Sequence, residues 1–265
     1  MNFYLSRQYF IKKVLSYFLI FLGCQSSLLA LDAREFDILT YKEPPFVMFD
    51  EGILYGVATD VINEALLKFD IEDYYIRIYP KKRTEFYAGS KKGTMYFPAL
   101  KTEKVLNNFE LVGPIIKTKV FAYSLEPLDN IETIGDLKDS NLKVAVASGS
   151  RQHELLQKTL LAKNIQDHPS EENNIEKLKN DRVDIWVTTD LNAAYLKQRK
   201  QVKNLYPVYE LDGFNELFLA IHKESNPEIV DTFNQVFNSL NTDGVIQKVQ
   251  GDFLKNLEIW SQSSF

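Results

Sequence analysis

Across 265 residues the chain carries 31 Lys+Arg against 36 Asp+Glu, with 45% apolar and 25% charged residues. That is the balance of an ordinary globular protein, long enough for one large domain or two small ones. No internal repeat or low-complexity segment stands out, and the acidic excess argues against nucleic acid or anionic membrane surfaces as partners.

The N-terminus differs from the rest. Arg7, Lys12 and Lys13 precede an apolar run at 14–23, and no acid occurs before Asp32. A basic flank, a short apolar core and a small-residue exit describe a secretory signal peptide, expected over residues 1–30. The run falls short of the roughly 20 residues that a membrane span needs, although a retained anchor is the alternative. Two exits are compatible with the residues: cleavage after Ala30, or lipidation of Cys24 within Phe21-Leu22-Gly23-Cys24, an imperfect lipoprotein box. Loss of residues 1–30 leaves 28 basic against 36 acidic residues, a net charge of −8. Cys24 is the only cysteine, so the remaining chain has no disulfide and must be stabilised by its core.

From residue 36 onward strands and helices alternate. A strand at 36–40 runs into the elbow Glu43-Pro44-Pro45-Phe46, and after Gly56 the residues Val57, Val61, Ile62, Ala65, Leu66 and Phe69 recur at helical spacing, with Thr59 or Asp60 as the expected N-cap. "YYIRIYP" alternates as a strand; "LKVAVASGSRQHELLQKTLLAKNI" reads as a buried strand, a turn and a helix; "NNIEKLKNDRVDIWVTT" reads as a helix and then a strand. "ELFLAIHK" is a late strand, Ile229, Val230, Phe233, Val236, Phe237 and Leu240 form an amphipathic face, and a last helix follows Asp243-Gly244. This alternation predicts mostly parallel sheets covered by helices, with ligands at the carboxyl ends of the strands. The loops there are 41–56, 97–104, 148–151 and 189–192.

Catalytic signatures are scarce. His153-Glu154-Leu155-Leu156-Gln157 lacks the second histidine of a zinc motif, and no cysteine nucleophile, G-x-S-x-G elbow or phosphate-cradling glycine loop follows the signal. Binding signatures are richer. Ser148-Gly149-Ser150 joins a strand to a helix and is expected to expose backbone N–H groups at a helix start, with simple capping by Ser150 the alternative. "IWVTTD" ends a strand in Thr188, Thr189 and Asp190, and Tyr41, Phe46, Phe49 and Tyr96 offer aromatic faces near strand ends, where aromatics also serve as core. Lys81-Lys82-Arg83 and Lys91-Lys92 read as solvated faces.

In order, "TYKEPPFVMFDEGILYGVATDVINEAL", "KTEKVLNNFELVGPI", "IGDLKDSNLKVAVASGS", "LKNDRVDIWVTTD" and "LFLAIHKESNPEIVDTFNQVFNSLNTDGVIQKV" resemble extracellular solute-binding proteins of family 3, the amino-acid-type receptors of ABC importers. The likeness spans about 36–255, and "DIWVTT" and "FELVGPI" look most like a divergent branch. It implies an α/β, two-lobed periplasmic-binding-protein fold of type II, with two mostly parallel sheets joined by two crossing strands near 120–124 and 213–217. Lobe 1 would be 36–119 plus 217–265, and lobe 2 would be 120–216.

Relatives of this kind carry an aromatic just before Pro-Pro-Phe, where this chain has Glu43. They carry an arginine three residues after a threonine, clamping the ligand carboxylate; after Thr102 that place holds Val105, with Lys101 and Lys104 the nearest cations. Their ammonium-binding aspartate, five residues after the match to Asp184, is Thr189 here, with Asp190 one step on. The Ser148-Gly149-Ser150 turn does match. A buried bidentate pair is worth several kcal/mol, so a standard amino acid held in the standard way is not expected.

The resemblance thus implies a periplasmic protein that captures a small polar solute and delivers it to an inner-membrane ABC permease, acting as a monomer with no cofactor, metal, catalytic residue or nucleic acid. Its cleft would be lined by Tyr41, Glu43, Phe46, Tyr96, Thr102, Lys104, Ser148, Gly149, Ser150, Arg151, Thr189 and Asp190. Glu43 suits a cationic or hydroxyl-rich group, and Lys104 with the 149–151 turn suits an anionic one. A dehydratase-like enzyme on the same frame, or a ligand-sensing receptor component, is the alternative.

Overall fold

The alternating strands and helices lie where the apolar spacing puts them, in a computed structural model that describes residues 36–69, 71, 74–128, 130–160 and 162–262. The expected signal peptide and Cys24 lie outside the described residues. In chain order the elements are β1 (Asp37–Thr40), β2 (Met48–Asp50), β3 (Ile53–Tyr55), α1 (Val57–Leu67), β4 (Ile76–Ile78), α2 (Lys81–Ser90), β5 (Thr94–Leu100), α3 (Glu103–Asn108) and β6 (Phe109–Ser124). They continue with α4 (Ile134–Asp139), β7 (Val144–Ala147), α5 (Arg151–Thr159), β8 (Ile165–His168), α6 (Glu171–Lys179), β9 (Ile185–Thr189), α7 (Asp190–Arg199), β10 (Tyr206–His222), α8 (Pro227–Thr242) and α9 (Val245–Gln262). No helix among the described residues is long and apolar enough to cross a membrane.

The two expected sheets are joined into one of eight strands, ordered β4-β1-β5-β10-β6-β9-β7-β8. The cause is the length of β6 and β10, 16 and 17 residues. At about 3.4 Å per residue each runs some 50 Å, far beyond an ordinary strand of five or six residues, so they pair along both halves. In one half β1 is parallel to β4 and β5; in the other β7 is parallel to β8 and β9. Val120 to Tyr123 already pair with Thr189 to Trp186 of β9, and Leu217 already pairs with Leu100 of β5. Between them only Lys117, Thr118 and Lys119 remain, opposite Glu216, Asn215 and Phe214. The stretch flanked by neither outer strand therefore lies a few residues before the expected 120–124.

Side chains alternate across the sheet with the period of two that a strand imposes. In the first half Met95 and Phe97 pack with α1 and α8, through Val61, Leu66, Phe233 and Phe237, while Tyr96 and Ala99 face Ala88 of α2. In the second half Val144, Val146, Ile185 and Val187 pack with Leu137 and Leu156, while Ala145 and Trp186 face Ile175, Leu178 and Leu196 of α6 and α7. Two elements cross between the halves. Met48, paired with Tyr55 in the β2–β3 hairpin, lies in the cluster of Trp186 and Tyr195. Helix α9 contributes Ile246 to the first-half core and Leu257 to the second.

The start of α1 corrects the sequence reading. Neither Thr59 nor Asp60 caps it; Thr59 is buried inside the helix, and the cap position is Gly56 at φ 121°. The elbow takes over the work of a capping side chain: the N–H groups of Val57 and Ala58 donate to the carbonyls of Pro45 (3.3 Å) and Phe46 (2.9 Å). A Cβ at residue 56 would come within 2.7 Å of the Phe46 carbonyl oxygen, so only glycine permits this approach.

Candidate functional site

The carboxyl ends of the parallel strands in both halves lead into loops that open helices, the arrangement in which open α/β sheets bind ligands. In the first half β1 ends at Thr40, and Glu43 follows in a turn closed by the Phe46 and Val47 N–H groups donating to the Glu43 carbonyl at 2.9 and 3.0 Å. The Glu43 N–H in return donates to the Val47 carbonyl at 2.9 Å, and Pro44-Pro45 is a cis bond within the turn. The backbone is thus fully engaged, leaving the side chain to project.

The Glu43 carboxyl is about half exposed and lies 3.8 Å from Lys81 Nζ, itself 4.9 Å above the Tyr41 ring. Protein surrounding Glu43 desolvates it and pushes its pKa up, and the Lys81 ammonium pulls it partly back. Lys81 is the first residue of α2, at the end of β4, so the cation comes from a neighbouring strand end.

In the second half the corresponding acid is Glu171, the first residue of α6 after β8. It is absent from the residues expected to line the cleft. Trp186 Nε1–H donates to its Oε2 at 2.8 Å, the Thr188 hydroxyl donates to its Oε1 at 2.9 Å, and Asn174 Nδ2 lies 3.4 Å from Oε2. Trp186 and Thr188 are i and i+2 on β9 and share a face, which is why one carboxylate meets both. Thr188 in turn accepts from Asn192 Nδ2 at 3.3 Å. Burial drives the Glu171 pKa up; the Trp186, Thr188 and Asn174 hydrogen bonds oppose this; the charge of Glu43 raises it further. The Glu43 charge, from the other half of the sheet, is the smallest of these influences.

Other expected site residues are placed differently. Phe46 and Tyr96 are 5% and 2% exposed in apolar clusters, so they do not present stacking faces. Phe46 turns under α1 because its own carbonyl caps that helix, and Tyr96 points from mid-strand toward α2. Tyr41 is also buried, its hydroxyl donating to the Pro98 carbonyl at 2.6 Å, although Lys81 lies over its ring. Thr102 caps α3 by accepting from Val105 N–H at 3.3 Å. Lys104 is held 2.8 Å from Glu85, away from Glu43.

The 148–150 turn does not expose free donors. Its N–H groups donate to the His168 carbonyl (3.2 Å), His153 Nδ1 (3.1 Å) and the Ala147 carbonyl (3.2 Å), and Ser150 caps α5 by accepting from His153 N–H. The Ser148 hydroxyl donates to Asp167, which holds that carboxylate's pKa low and places a negative charge where an anion was expected. Arg151 leans toward β10: a Cβ at Gly213 would meet its Nη2 at 3.3 Å.

Thr189 caps α7 and is 3% exposed. Asp190 accepts from Leu191 N–H at 2.8 Å; burial raises its pKa, and the backbone N–H groups of Leu191 and Lys119 oppose this. The ribbon carries the ion pairs Lys117–Glu216 (3.2 Å) and Lys119–Glu210 (3.0 Å). The expected residues that do come together are Tyr41 with Glu43, and Thr189 with Asp190. Sequence reasoning missed Lys81 and Glu171. An acid directly after the N-cap Ser170 was a visible signal for a helix start, but its partners on β9 were not.

No family model matches the chain. A protein of Campylobacter jejuni subsp. jejuni serotype O:2, described as a probable histidine-binding protein, is 24% identical over 203 residues, covering 76% of this chain and 77% of that one. Among solved structures, the amino acid ABC transporter substrate-binding protein AbpA from Streptococcus pneumoniae, bound to L-arginine, superposes with a TM-score of 0.67 at 16% identity, over 86% of this chain and 98% of that chain. The ancestral amino-acid-binding protein AncCDT-1, a precursor of cyclohexadienyl dehydratase, gives 0.65 at 18% identity, over 86% and 99%. The α/β fold of this chain is that of the periplasmic binding proteins.

Proposed function

We propose that the chain is a solute-binding protein that closes two lobes over a small cationic, amino-acid-like solute and delivers it to an inner-membrane ABC permease from the periplasm. The observation that carries this reading is the pair Glu43 and Glu171, one carboxyl from each half of the sheet, each desolvated and Glu171 raised further by Glu43. A cation placed between two carboxylates is attracted by both. Lys81, beside Glu43 and over the Tyr41 ring, makes the contacts that a ligand ammonium or guanidinium would make.

Closure follows from where the charges sit. A ligand touching Glu43 alone gains nothing from closure; one touching both carboxyls stabilises only the state in which the halves approach. The ribbon at Lys117–Lys119 and Glu216 is the hinge in this reading, and Met48 and α9 add apolar contacts between the halves. The proteins it resembles include one described as histidine-binding and one bound to L-arginine, which supports a cationic amino-acid-like solute.

A thermal-shift screen with arginine, ornithine, histidine and putrescine against citrulline, glutamate and glucose tests the reading. Stabilisation by cations and not by their neutral analogues is expected. A shift with glutamate or citrulline alone would overturn the ligand class, and no shift with any solute would overturn solute capture. The dehydratase-like alternative needs Glu171 to donate its proton to a substrate, since a buried acid with a raised pKa suits general acid catalysis. Turnover of a cyclohexadienyl acid, abolished in Glu171→Gln, would favour it.

A further inference from the structure

A cavity lies between α2 and α3 in the first half, beginning one residue beyond Lys81. Its volume is about 490 Å³, within the range of small-molecule pockets, and its lining includes Lys82, Glu85, Phe86, Tyr96, Lys104 and Phe109. Tyr96 and Phe109 pack edge to face at 5.1 Å and form an aromatic floor. Phe86 on the rim is 69% exposed, an aromatic ring left in water beside a cavity that a ligand would cover.

Tyr96 supplies the second observation. The residue is 2% exposed, yet its hydroxyl has no hydrogen-bond partner among the described residues, whereas the nearby Tyr41 hydroxyl is satisfied by the Pro98 carbonyl. The hydroxyl is not one of the fully covered side-chain atoms that lack a partner, so it opens into the cavity as a donor that an acceptor entering there can reach. The charges define that acceptor. Glu85 and Lys104 neutralise one another at 2.8 Å across the two helices, leaving Lys82 without an ion pair among the described residues. The cavity thus carries one net positive charge beside an apolar floor.

We propose that the α2–α3 cavity is an accessory binding site for a small amphipathic monoanion, an aryl or short-acyl carboxylate, whose carboxylate accepts from the Tyr96 hydroxyl and pairs with Lys82 while its apolar body covers Tyr96, Phe109 and Phe86. Neither Glu43 nor Glu171 lines this cavity, so the proposal does not depend on a cation being held between them.

The probe is 3-phenylpropanoate, titrated calorimetrically into the full chain with 3-phenylpropanol and 3-phenylpropylamine as controls. Saturable binding of the carboxylate is expected, with the alcohol and amine at least about tenfold weaker and Tyr96→Phe losing about tenfold, as for a hydrogen bond to a charged group. A Cβ at Gly89 meets the Phe109 ring at 3.6 Å, so Gly89→Leu fills the cavity from an exposed helix position. That variant should abolish binding while melting no lower than the parent, and Glu171→Gln should bind the probe unchanged. The proposal is overturned if the carboxylate does not bind, if the amine binds as well as the carboxylate, if a folded Gly89→Leu variant binds normally, or if Glu171→Gln removes the binding.

Discussion

Glu43 and Glu171 occupy equivalent places, each three residues beyond the end of a parallel strand, yet their carboxyls are held by different means. Glu43 has fixed backbone and a free side chain: its turn is closed by three main-chain hydrogen bonds, and its carboxyl has only a 3.8 Å contact with half-exposed Lys81. Glu171 has its side chain fixed, by Trp186, Thr188 and Asn174. On the proposed reading of the site, the difference separates two jobs. A carboxylate pre-oriented by hydrogen bonds loses little entropy on meeting a ligand, whereas one bonded loosely to a displaceable lysine can exchange that partner for a ligand cation.

The largest way to break the comparison is Trp186→Ala. Trp186 is fully buried, and its loss should cost about 3–5 kcal/mol in urea unfolding while releasing Glu171. Gly56→Ala should come next, at about 2–3 kcal/mol, because a left-handed backbone and a 2.7 Å contact with Phe46 combine. A cost below 1 kcal/mol would mean that the elbow does not hold the α1 start as described.

Glu171→Gln sharpens the comparison through pH. Because the folded state raises the Glu171 pKa above its ordinary value of 4.5, the folded protein holds that proton more tightly than the unfolded chain. Stability from this group is therefore fully present below pH 4.5 and declines as pH rises through the folded pKa. The glutamine variant should lack that decline, so parent and variant curves should diverge on the alkaline side of 4.5 in chemical denaturation at stepped pH. Parallel curves would contradict the burial argument. The smallest effect is expected from Ser170→Ala, which removes the cap of α6 (Asn173 N–H, 3.3 Å) at about 1 kcal/mol and loosens the backbone carrying Glu171.

Most of the frame was legible in the sequence because its signals are local. Alternation in "VAVA" and "IWVTT" and the helical spacing of Ile229, Phe233, Phe237 and Leu240 follow from periods of 2 and 3.6, and tertiary packing preserved them. The α1 cap failed because a carbonyl of a distant turn replaced the usual side chain, and no propensity reports that. The merged sheet was hidden because continuous pairing of β6 with β10 depends on registers nearly a hundred residues apart, such as Thr118 with Asn215.

The candidate site was legible only in part. Glu43 stood out by its place in the elbow, whereas Thr189, expected in the cleft because it ends a strand, is the buried cap of α7. Glu171 could not be found, because its partners Trp186 and Thr188 lie 15 and 17 residues away on another strand, and their convergence exists only after β9 pairs with β7. Free donors were expected at 148–150 because a Ser-Gly-Ser turn opens a helix; His153, Ala147 and His168 take them instead.

A double-mutant cycle tests the central claim, that both carboxyls act on one bound cation. Arginine affinity would be measured calorimetrically for the parent, Glu43→Gln, Glu171→Gln and the double variant. A shared cation predicts that each single change weakens binding at least about tenfold and that the double loss departs from the sum of the singles by more than about 0.5 kcal/mol. Losses that add within that margin, or arginine affinity unchanged by either variant, would contradict a cation held between Glu43 and Glu171.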